Sequence, residues 1–231
     1  GETNGASVDL VVTDPEGYAV YEGPAAGDTI EIEGIQPWSH AAPVLYHAVL
    51  TLRDADGALQ EVVPYDIGFR RFEMVNGVMC LNGERVVFNG VNRHEWNADR
   101  GRAIDADDMH AAMAVFKKNN INAVRTCHYP DQSLWYDLCD QNGIYMIDET
   151  NLESHGSWQK LGAVEPSWNV PGSLPEWRDC VVDRARSMFE RDKNHAAVLI
   201  WSCGNESYAG EDILAMSQFF HDHDPGRLVH Y

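Results

Sequence analysis

The stretch that decides the fold reads Ala197-Val198-Leu199-Ile200-Trp201-Ser202-Cys203-Gly204-Asn205-Glu206-Ser207. Its apolar first half, rich in aliphatic and β-branched residues, is typical of a strand covered on both faces. Catalytic residues of α/β barrels collect at the carboxyl ends of such strands, and Asn205 and Glu206 follow this one closely. A Glu there can protonate a glycosidic oxygen while the neighbouring Asn binds a sugar hydroxyl. The acid could equally be a solvated loop residue, and this stretch alone leaves both interpretations open.

Predicted strands and helices alternate from about Phe69 to the end of the chain. The elements are strands at Arg85–Phe88, Asn122–Thr126, Ile144–Ile147, Ala197–Trp201 and Leu228–Tyr231, and helices capped by Asp105, running from Asp131 to Gly143, opened by the capping box Ser173-Leu174-Pro175-Glu176, and centred on Met216. Repeated strand-then-helix units favour a parallel sheet with right-handed crossovers. The sequence therefore predicts the first half of a (β/α)8 TIM barrel over residues 71–231.

Residues 1–70 are expected to form antiparallel β structure. Turn signals occur at Asp14-Pro15-Glu16-Gly17 and at Asp56-Gly57, between apolar runs. The segment Thr29–Glu33 alternates strictly between polar and apolar residues, which is typical of a half-buried strand. Several short strands with frequent turns predict an immunoglobulin-like β-sandwich, and their small number predicts a partial one.

The composition excludes some classes of partner. The chain has 231 residues and a formal net charge of −19, which would repel nucleic acid and anionic membranes. Its five cysteines are odd in number and lack metal-ligand spacing, as expected for reduced thiols in the cytoplasm. We find neither a run long enough to span a bilayer nor a signal peptide. The chain starts at Gly1 and stops on a predicted strand, so we expect a piece of a longer protein.

Polar residues follow four consecutive predicted barrel strands. In chain order they are Asn92-Arg93-His94-Glu95, then Arg125, His128 and Tyr129, then Asp148, Glu149, Glu153 and His155, and finally Asn205 and Glu206. Taken singly, His128 could anchor a turn, and Asp148 with Glu149 could cap a loop. Because parallel strands end at the same edge of a sheet, the joint pattern predicts one active site at the top of a barrel.

Three of these residues could also bind a metal ion. Glu153 and His155 lie two residues apart in a predicted loop, and Glu206 could join them as a third ligand. A carboxylate-rich set with one imidazole suits Mg²⁺ or Mn²⁺ better than Zn²⁺. The alternative is that Glu153 and His155 merely pair with each other, and their spacing does not decide between the two.

The motifs together resemble those of a known family. They are Gly90-Val91-Asn92-Arg93-His94-Glu95, Asn122-Ala123-Val124-Arg125 with His128-Tyr129-Pro130, Leu134-Trp135-Tyr136-Asp137-Leu138-Cys139-Asp140, Asp148-Glu149-Thr150-Asn151-Leu152-Glu153-Ser154-His155-Gly156, and Trp201-Ser202-Cys203-Gly204-Asn205-Glu206-Ser207. In this order they resemble the bacterial β-galactosidases of glycoside hydrolase family 2 from about Phe69 to Tyr231, and the preceding sandwich resembles that family's second domain. The stretch Asn151–Gly156 is similar to the β-galactosidase branch rather than the β-glucuronidases.

The resemblance implies retaining hydrolysis of terminal β-D-galactosides such as lactose. It implies that Glu206 is the acid/base and that Asn205 holds the sugar 2-hydroxyl. It implies that His94 and His128 bind galactose hydroxyls, and that Arg125 lies beside the nucleophile and keeps it ionised.

The resemblance also implies cofactors and partners. Glu153, His155 and Glu206 would bind Mg²⁺, while the Na⁺ site and the nucleophilic Glu of such enzymes come from later strands that this chain does not contain. The full-length parent would be a homo-oligomer. One departure is the tract Trp96–Arg100, which differs from the His-rich form of well-known members.

Three functional hypotheses remain open at this point. The first is a fragment of a retaining β-galactosidase that carries the acid/base, lacks the nucleophile and is inactive alone. The second is a non-catalytic sugar-binding or self-associating half-barrel module. The third is a metal-dependent hydrolase that uses Asp148, Glu153 and His155, which the sequence favours least because no second ligand His lies near that set.

Overall fold

The chain divides into two compact units, Gly1–Arg70 and Arg71–Tyr231. The computed structural model describes residues 5–25, 29–158 and 169–231. Within that part of the chain, no helix combines the length and the apolar composition that crossing a membrane requires.

The first unit is a four-stranded antiparallel sheet. Its strands are β1 (Ser7–Thr13), β2 (Ala19–Pro24), β3 (Tyr46–Arg53) and β4 (Leu59–Ile67), in the spatial order β2-β1-β3-β4. Gly17 closes the turn between β1 and β2, because its N–H donates to the Asp14 carbonyl at 3.0 Å and its φ of 88° suits glycine. The two turns predicted at Asp14 and Asp56 therefore join hairpins.

A small apolar core lies on one face of this sheet. Val12, Tyr46 and Ala48 are buried, and the Tyr46 ring meets Phe69 edge-on with ring centroids 5.3 Å apart. The strand predicted at Thr29–Glu33 is wrong, because these residues join no ladder. Ile32 nevertheless packs against the core. The alternation of polar and apolar residues therefore arises because one side of the segment is partly buried, although the segment pairs with no strand.

The second unit begins with a small antiparallel sheet of β5 (Phe72–Val75), β6 (Val78–Leu81) and β7 (Glu84–Arg85). The strand predicted at Arg85–Phe88 is wrong in its position. Arg85 belongs to β7, and the Val86 N–H extends that pairing by donating to the Met79 carbonyl at 2.9 Å. The first parallel strand starts later, at Gly90.

Strands and helices then alternate to the end of the chain. They are β8 (Gly90–Arg93), α1 (Ala106–Lys118), β9 (Ala123–Thr126), α2 (Ser133–Asn142), β10 (Tyr145–Glu149), α3 (His155–Trp158), α4 (Pro175–Asp192), β11 (Val198–Ser202), α5 (Glu211–His223) and β12 (Leu228–His230). The five strands β8 to β12 form one parallel sheet in the order β12-β11-β10-β9-β8. Neighbours in sequence are neighbours in space, as in a barrel, and the sheet ends on β8 and β12 without closing.

The helix ends show which local signals were sufficient. Asp105 and Asp108 form a reciprocal capping box at the start of α1, as the sequence predicts. The capping box predicted at Ser173 is wrong, because α4 is preceded by Leu174 without a side-chain cap. The Ser173 hydroxyl instead accepts the Glu211 N–H at 3.1 Å, where α5 begins.

Strand β11 is buried along its whole length, which explains its apolar sequence. The Trp201 ring stacks on Phe220 of α5 with centroids 5.5 Å apart and planes 4° apart. Its indole N–H donates to the Asp224 carboxylate at 3.0 Å, so the buried polar atom is satisfied. Packing against α5 thus holds in place the strand whose carboxyl end precedes Asn205 and Glu206.

Candidate active site

The predicted polar clusters meet at the carboxyl edge of the parallel sheet. The register pairs Asn92 of β8 with Arg125 of β9, and Glu149 of β10 with Ser202 of β11. Beyond the strand ends, Glu153 and Asn205 form a further parallel bridge. The side chains that follow four neighbouring strands therefore converge at one place on the sheet edge, which we call the opening.

Arg125 connects three of these strand ends. Its Nε donates to Glu149 Oε2 at 2.6 Å, its Nη2 to Asn205 Oδ1 at 2.9 Å, and its Nη1 to Asn92 Oδ1 at 3.3 Å. The planar guanidinium fixes the direction of each bond. Because the Asn205 oxygen is held by Arg125, its amide nitrogen faces Glu153 and donates to Oε2 at 2.6 Å.

Glu149 is the buried centre of the site, with a side chain that is 0% exposed. In addition to Arg125, its carboxylate contacts His128 Nδ1 at 2.7 Å and accepts the Ser202 hydroxyl at 2.7 Å. The sequence placed Glu149 at the right edge but assigned it no role beyond a possible loop cap. Two consecutive acids end this strand, and only the side-chain direction decides which one faces the opening.

Asp148 points the other way, as successive strand residues do. Its carboxylate accepts the Tyr136 hydroxyl at 2.7 Å from α2. Burial, together with the nearby Asp192, raises the pKa of Asp148 well above its usual value. Because Asp148 points towards Tyr136, it does not lie with Glu153 and His155, whose third neighbour is Glu206. This contradicts the ligand set of Asp148, Glu153 and His155 in the metal-dependent hydrolase hypothesis.

Glu206 lies on a strained turn after β11. Its φ of 39° is in the left-handed region, which a residue with a side chain seldom adopts. Gly204 precedes it with a φ of 136°, and a Cβ there would lie 2.6 Å from the Leu152 carbonyl oxygen. The Asn205 N–H donates to that same carbonyl at 2.9 Å. The close approach to Leu152 thus sets the backbone that presents Asn205 and Glu206.

Glu153, His155 and Glu206 form a cluster at the rim of the opening. One ligand atom from each lies within 4.8 Å of the others, and His155 Nδ1 is 2.7 Å from Glu206 Oε2. Two carboxylates and one imidazole are a donor set for a hard divalent cation. The residues present therefore fit Mg²⁺.

His94 and His128 line the opposite side of the opening. Their rings meet edge-on with centroids 5.4 Å apart, and His94 Nδ1 lies 3.3 Å from the Tyr129 hydroxyl. Burial, the neighbouring His128 and Arg102 lower the pKa of His94, which favours its neutral form. His128 Nε2 lies 4.0 Å from Glu153 Oε2 and so links the two sides of the site.

All the site residues predicted from the sequence are therefore neighbours around one opening. They are His94, Arg125, His128, Glu153, His155, Asn205 and Glu206. The arrangement combines an accessible acid, a buried carboxylate held by a guanidinium, and polar groups suited to sugar hydroxyls. Such a set can transfer a proton to an oxygen of an uncharged ligand.

Comparison with domain families covers nearly the whole chain. Residues 72–231 match "Glycosyl hydrolases family 2, TIM barrel domain", and residues 2–70 match "Glycosyl hydrolases family 2". Among solved structures, the β-glucuronidase of Dictyoglomus thermophilum has a TM-score of 0.86 at 24% identity and covers 97% of this chain and 39% of its own. An apo β-glucuronidase from Ruminococcus gnavus has a TM-score of 0.83 at 26% identity, covering 94% of this chain and 37% of its own. The predicted fold, a partial immunoglobulin-like sandwich followed by the first half of a TIM barrel, is confirmed.

Curated relatives are more similar in sequence. A β-galactosidase of Clostridium acetobutylicum is 61% identical over 202 residues, which are 87% of this chain and 22% of that protein. A β-galactosidase large subunit of Lactobacillus acidophilus is 54% identical over 238 residues, which are 100% of this chain and 38% of that protein. The chain thus spans between about a fifth and two fifths of the length of these relatives.

Proposed function

Because the chain belongs to glycosyl hydrolase family 2, we propose that it carries the acid/base part of the active site of a retaining β-galactosidase. The observation that carries the proposal is the position of Glu206 after β11, beside Asn205, within the group of polar side chains at the sheet edge. Glu206 is 55% exposed, so a substrate oxygen can reach it. The relatives named β-galactosidase support this substrate class.

In the proposed reaction Glu206 donates a proton to the leaving glycosidic oxygen and later removes one from the attacking water. His155 contacts the Glu206 carboxylate and helps to hold it in position. Asn205 Oδ1 already accepts one bond from Arg125, and its second lone pair suits a sugar hydroxyl. Arg125 thereby positions Asn205 for the contact expected with the 2-hydroxyl.

The nucleophile is proposed to come from residues beyond this chain. A retaining enzyme needs a second carboxylate about 5 Å from the acid/base. Glu149 is a poor candidate among the described residues, because it is buried and its oxygens already contact Arg125, His128 and Ser202. The open edges at β8 and β12 suit the remaining strands of a barrel, which would cover them and add the nucleophile.

Mg²⁺ is the proposed cofactor, held by Glu153, His155 and Glu206. When bound, it would supply positive charge that holds the Glu206 carboxyl in place and alters its proton affinity. His155 and Glu153 belong to the segment after β10, so the ligands on this side depend on the bridge between Glu153 and Asn205. The Na⁺ site of the full-length protein is proposed to use residues from later strands.

The site favours a neutral sugar over a charged one. Arg125 is already bonded to Glu149 and Asn205, so this guanidinium is occupied within the site. A glucuronide would bring a further carboxylate without a free guanidinium from Arg125 to pair with it. His94, held neutral, and His128 can exchange hydrogen bonds with hydroxyls, which supports a galactoside as the substrate.

The experiment uses full-length protein that contains this chain and compares aryl β-galactoside with aryl β-glucuronide. We expect hydrolysis of the galactoside, with the β-anomer of galactose formed first, as detected by NMR. The 231-residue chain alone should show none of this turnover. Preference for the glucuronide, initial release of the α-anomer, or full activity of the chain alone would each contradict the proposal.

A further inference from the structure

A second cluster of metal-ligating side chains lies on the other side of the opening. One ligand atom each from His94, Cys127 and His128 lies within 4.8 Å of the other two. We propose that these three side chains bind Zn²⁺ or a similar borderline divalent ion, and that this ion competes with the sugar. Binding itself is independent of the proposed function, whereas the competition rests on it.

Adjacent strands bring the three residues together. His94 follows β8, while Cys127 and His128 follow β9, its parallel neighbour. The Cys127 N–H donates to the Arg93 carbonyl at 3.1 Å, which joins the two strand ends directly before the ligands. The cluster therefore rests on the sheet and not on a long loop, as a preorganised metal site requires.

The imidazoles are oriented by other side chains. His128 Nδ1 is 2.7 Å from Glu149, whose carboxylate is in turn held by Ser202. His94 Nδ1 is 3.3 Å from the Tyr129 hydroxyl. A carboxylate on one ring nitrogen of a histidine is the usual support of a zinc ligand, so His128 would offer its other nitrogen, Nε2, to the ion.

Cys127 provides the chemical selectivity. One sulfur and two nitrogens favour Zn²⁺, Co²⁺ or Cu²⁺ over Mg²⁺, with a fourth position open. The thiol is buried, and its S–H donates to the Arg93 carbonyl 3.3 Å from Sγ. Because the thiolate is the form that binds a metal, binding breaks the S–H bond, forms a sulfur–metal bond and releases the proton to solvent.

The neighbouring cluster of Glu153, His155 and Glu206 offers oxygen donors and should retain Mg²⁺. The two clusters come within 4.0 Å of each other at His128 Nε2 and Glu153 Oε2. Because His94 and His128 are the proposed partners of sugar hydroxyls, an ion on their nitrogens removes those contacts. An ion held by His94, Cys127 and His128 should therefore inhibit by competing with the sugar.

The test is an optical Co²⁺ titration of full-length protein containing this chain, with Mg²⁺ saturating. We expect the ultraviolet thiolate-to-cobalt band and the visible bands of tetrahedral Co²⁺, both abolished by Zn²⁺. Cys127→Ser should lose the thiolate band and bind Zn²⁺ at least about tenfold more weakly in calorimetry. Cys180→Ser, which changes the exposed cysteine on α4, is the matched control and should bind as the wild type does. His94→Gln should weaken Zn²⁺ binding without removing a thiol.

The absence of the thiolate band in the wild type, or its retention in Cys127→Ser, would overturn the site. Equal loss in Cys180→Ser would overturn it as well. In galactoside hydrolysis, Zn²⁺ should inhibit competitively, and Cys127→Ser should keep its basal rate while losing that inhibition. Non-competitive inhibition by Zn²⁺ would overturn the competition. A protein without galactosidase activity would refute the proposed function, while the cobalt titration would still decide the site.

Discussion

His155 Nδ1 lies 2.7 Å from Glu206 Oε2, although the two residues belong to segments that follow different strands of the sheet. The parallel bridge between Glu153 and Asn205 aligns these segments. A substitution at Glu153 or His155, after β10, should therefore alter the position of Glu206 after β11. Variants of full-length protein that contains this chain can test this coupling and the residues that support it.

Glu153→Gln should weaken Mg²⁺ binding and lower turnover together. The amide keeps an oxygen for the Asn205 N–H, which donates to Glu153 at 2.6 Å, but removes one negative charge from the cluster. We expect a loss of Mg²⁺ affinity of about tenfold or more, measured by calorimetry and by the Mg²⁺ dependence of kcat. An unchanged Mg²⁺ response would show that the metal assignment is wrong.

Arg125→Met should destabilise the protein by about 3–5 kcal/mol, because it leaves the buried Glu149 carboxylate without its guanidinium partner. Urea unfolding measures the loss, and adding Glu149→Gln should restore part of it. Arg71→Ala is the surface control, because Arg71 is largely exposed and its partner Glu73 is partly exposed. This variant should lose less than about 1 kcal/mol of unfolding free energy. Equal costs for the two arginines would contradict the buried pairing.

Gly204→Ala should abolish activity while the rest of the fold persists. The new methyl group would meet the Leu152 carbonyl oxygen at 2.6 Å and displace Asn205 and Glu206. Gly77→Ala separates the two effects, because Gly77 also has a positive φ, of 79°, but open space around its Cβ position. It should lose about 1–2 kcal/mol of stability and keep its turnover. Similar turnover in both variants would exclude the proposed role of the close approach.

Asp131 predicts a pH dependence of stability. Burial raises its pKa to about 7, against the opposing effect of Arg93. Between the ordinary Asp pKa of about 4 and about 7, the native state binds more protons than the unfolded chain, so this group's contribution to stability falls as pH rises. Asp131→Asn removes that fall. From pH 5 to pH 8, the unfolding free energy of the wild type should therefore decrease relative to that of the variant, and a constant difference would contradict the shift.

The sequence predicts the clustering of the polar residues better than it predicts single elements. The strand-end positions of Asn205, Glu206 and Glu149 follow from parallel strands that share one edge, a rule that survives errors of a few residues. The alternation at Thr29–Glu33 could not be assigned correctly, because one-sided burial gives the same pattern with or without a strand partner. Ser173 fits a capping motif, yet tertiary contact turns it towards Glu211.

The division of labour between Asp148 and Glu149 also required the structure. Both acids end the same strand, and nothing in their spacing says which one faces the opening. Their hydrogen-bond partners distinguish them. Asp148 accepts a bond from Tyr136, whereas Glu149 contacts Arg125 and His128. The position of Cys127 near His94 also could not be predicted from the sequence, because it depends on the pairing of β8 with β9.

The most direct measurement is the turnover of Glu206→Gln on aryl β-galactosides, with and without azide. Loss of the acid/base should lower kcat by about 10²–10⁴-fold, least for the best leaving groups, and azide should restore turnover by forming β-galactosyl azide. Glu190→Gln, with a side chain 56% exposed against 55% for Glu206, is the matched control and should behave as the wild type. A Glu206→Gln variant with wild-type turnover, or one that azide does not rescue on any substrate, would contradict the assignment of Glu206 as the acid/base.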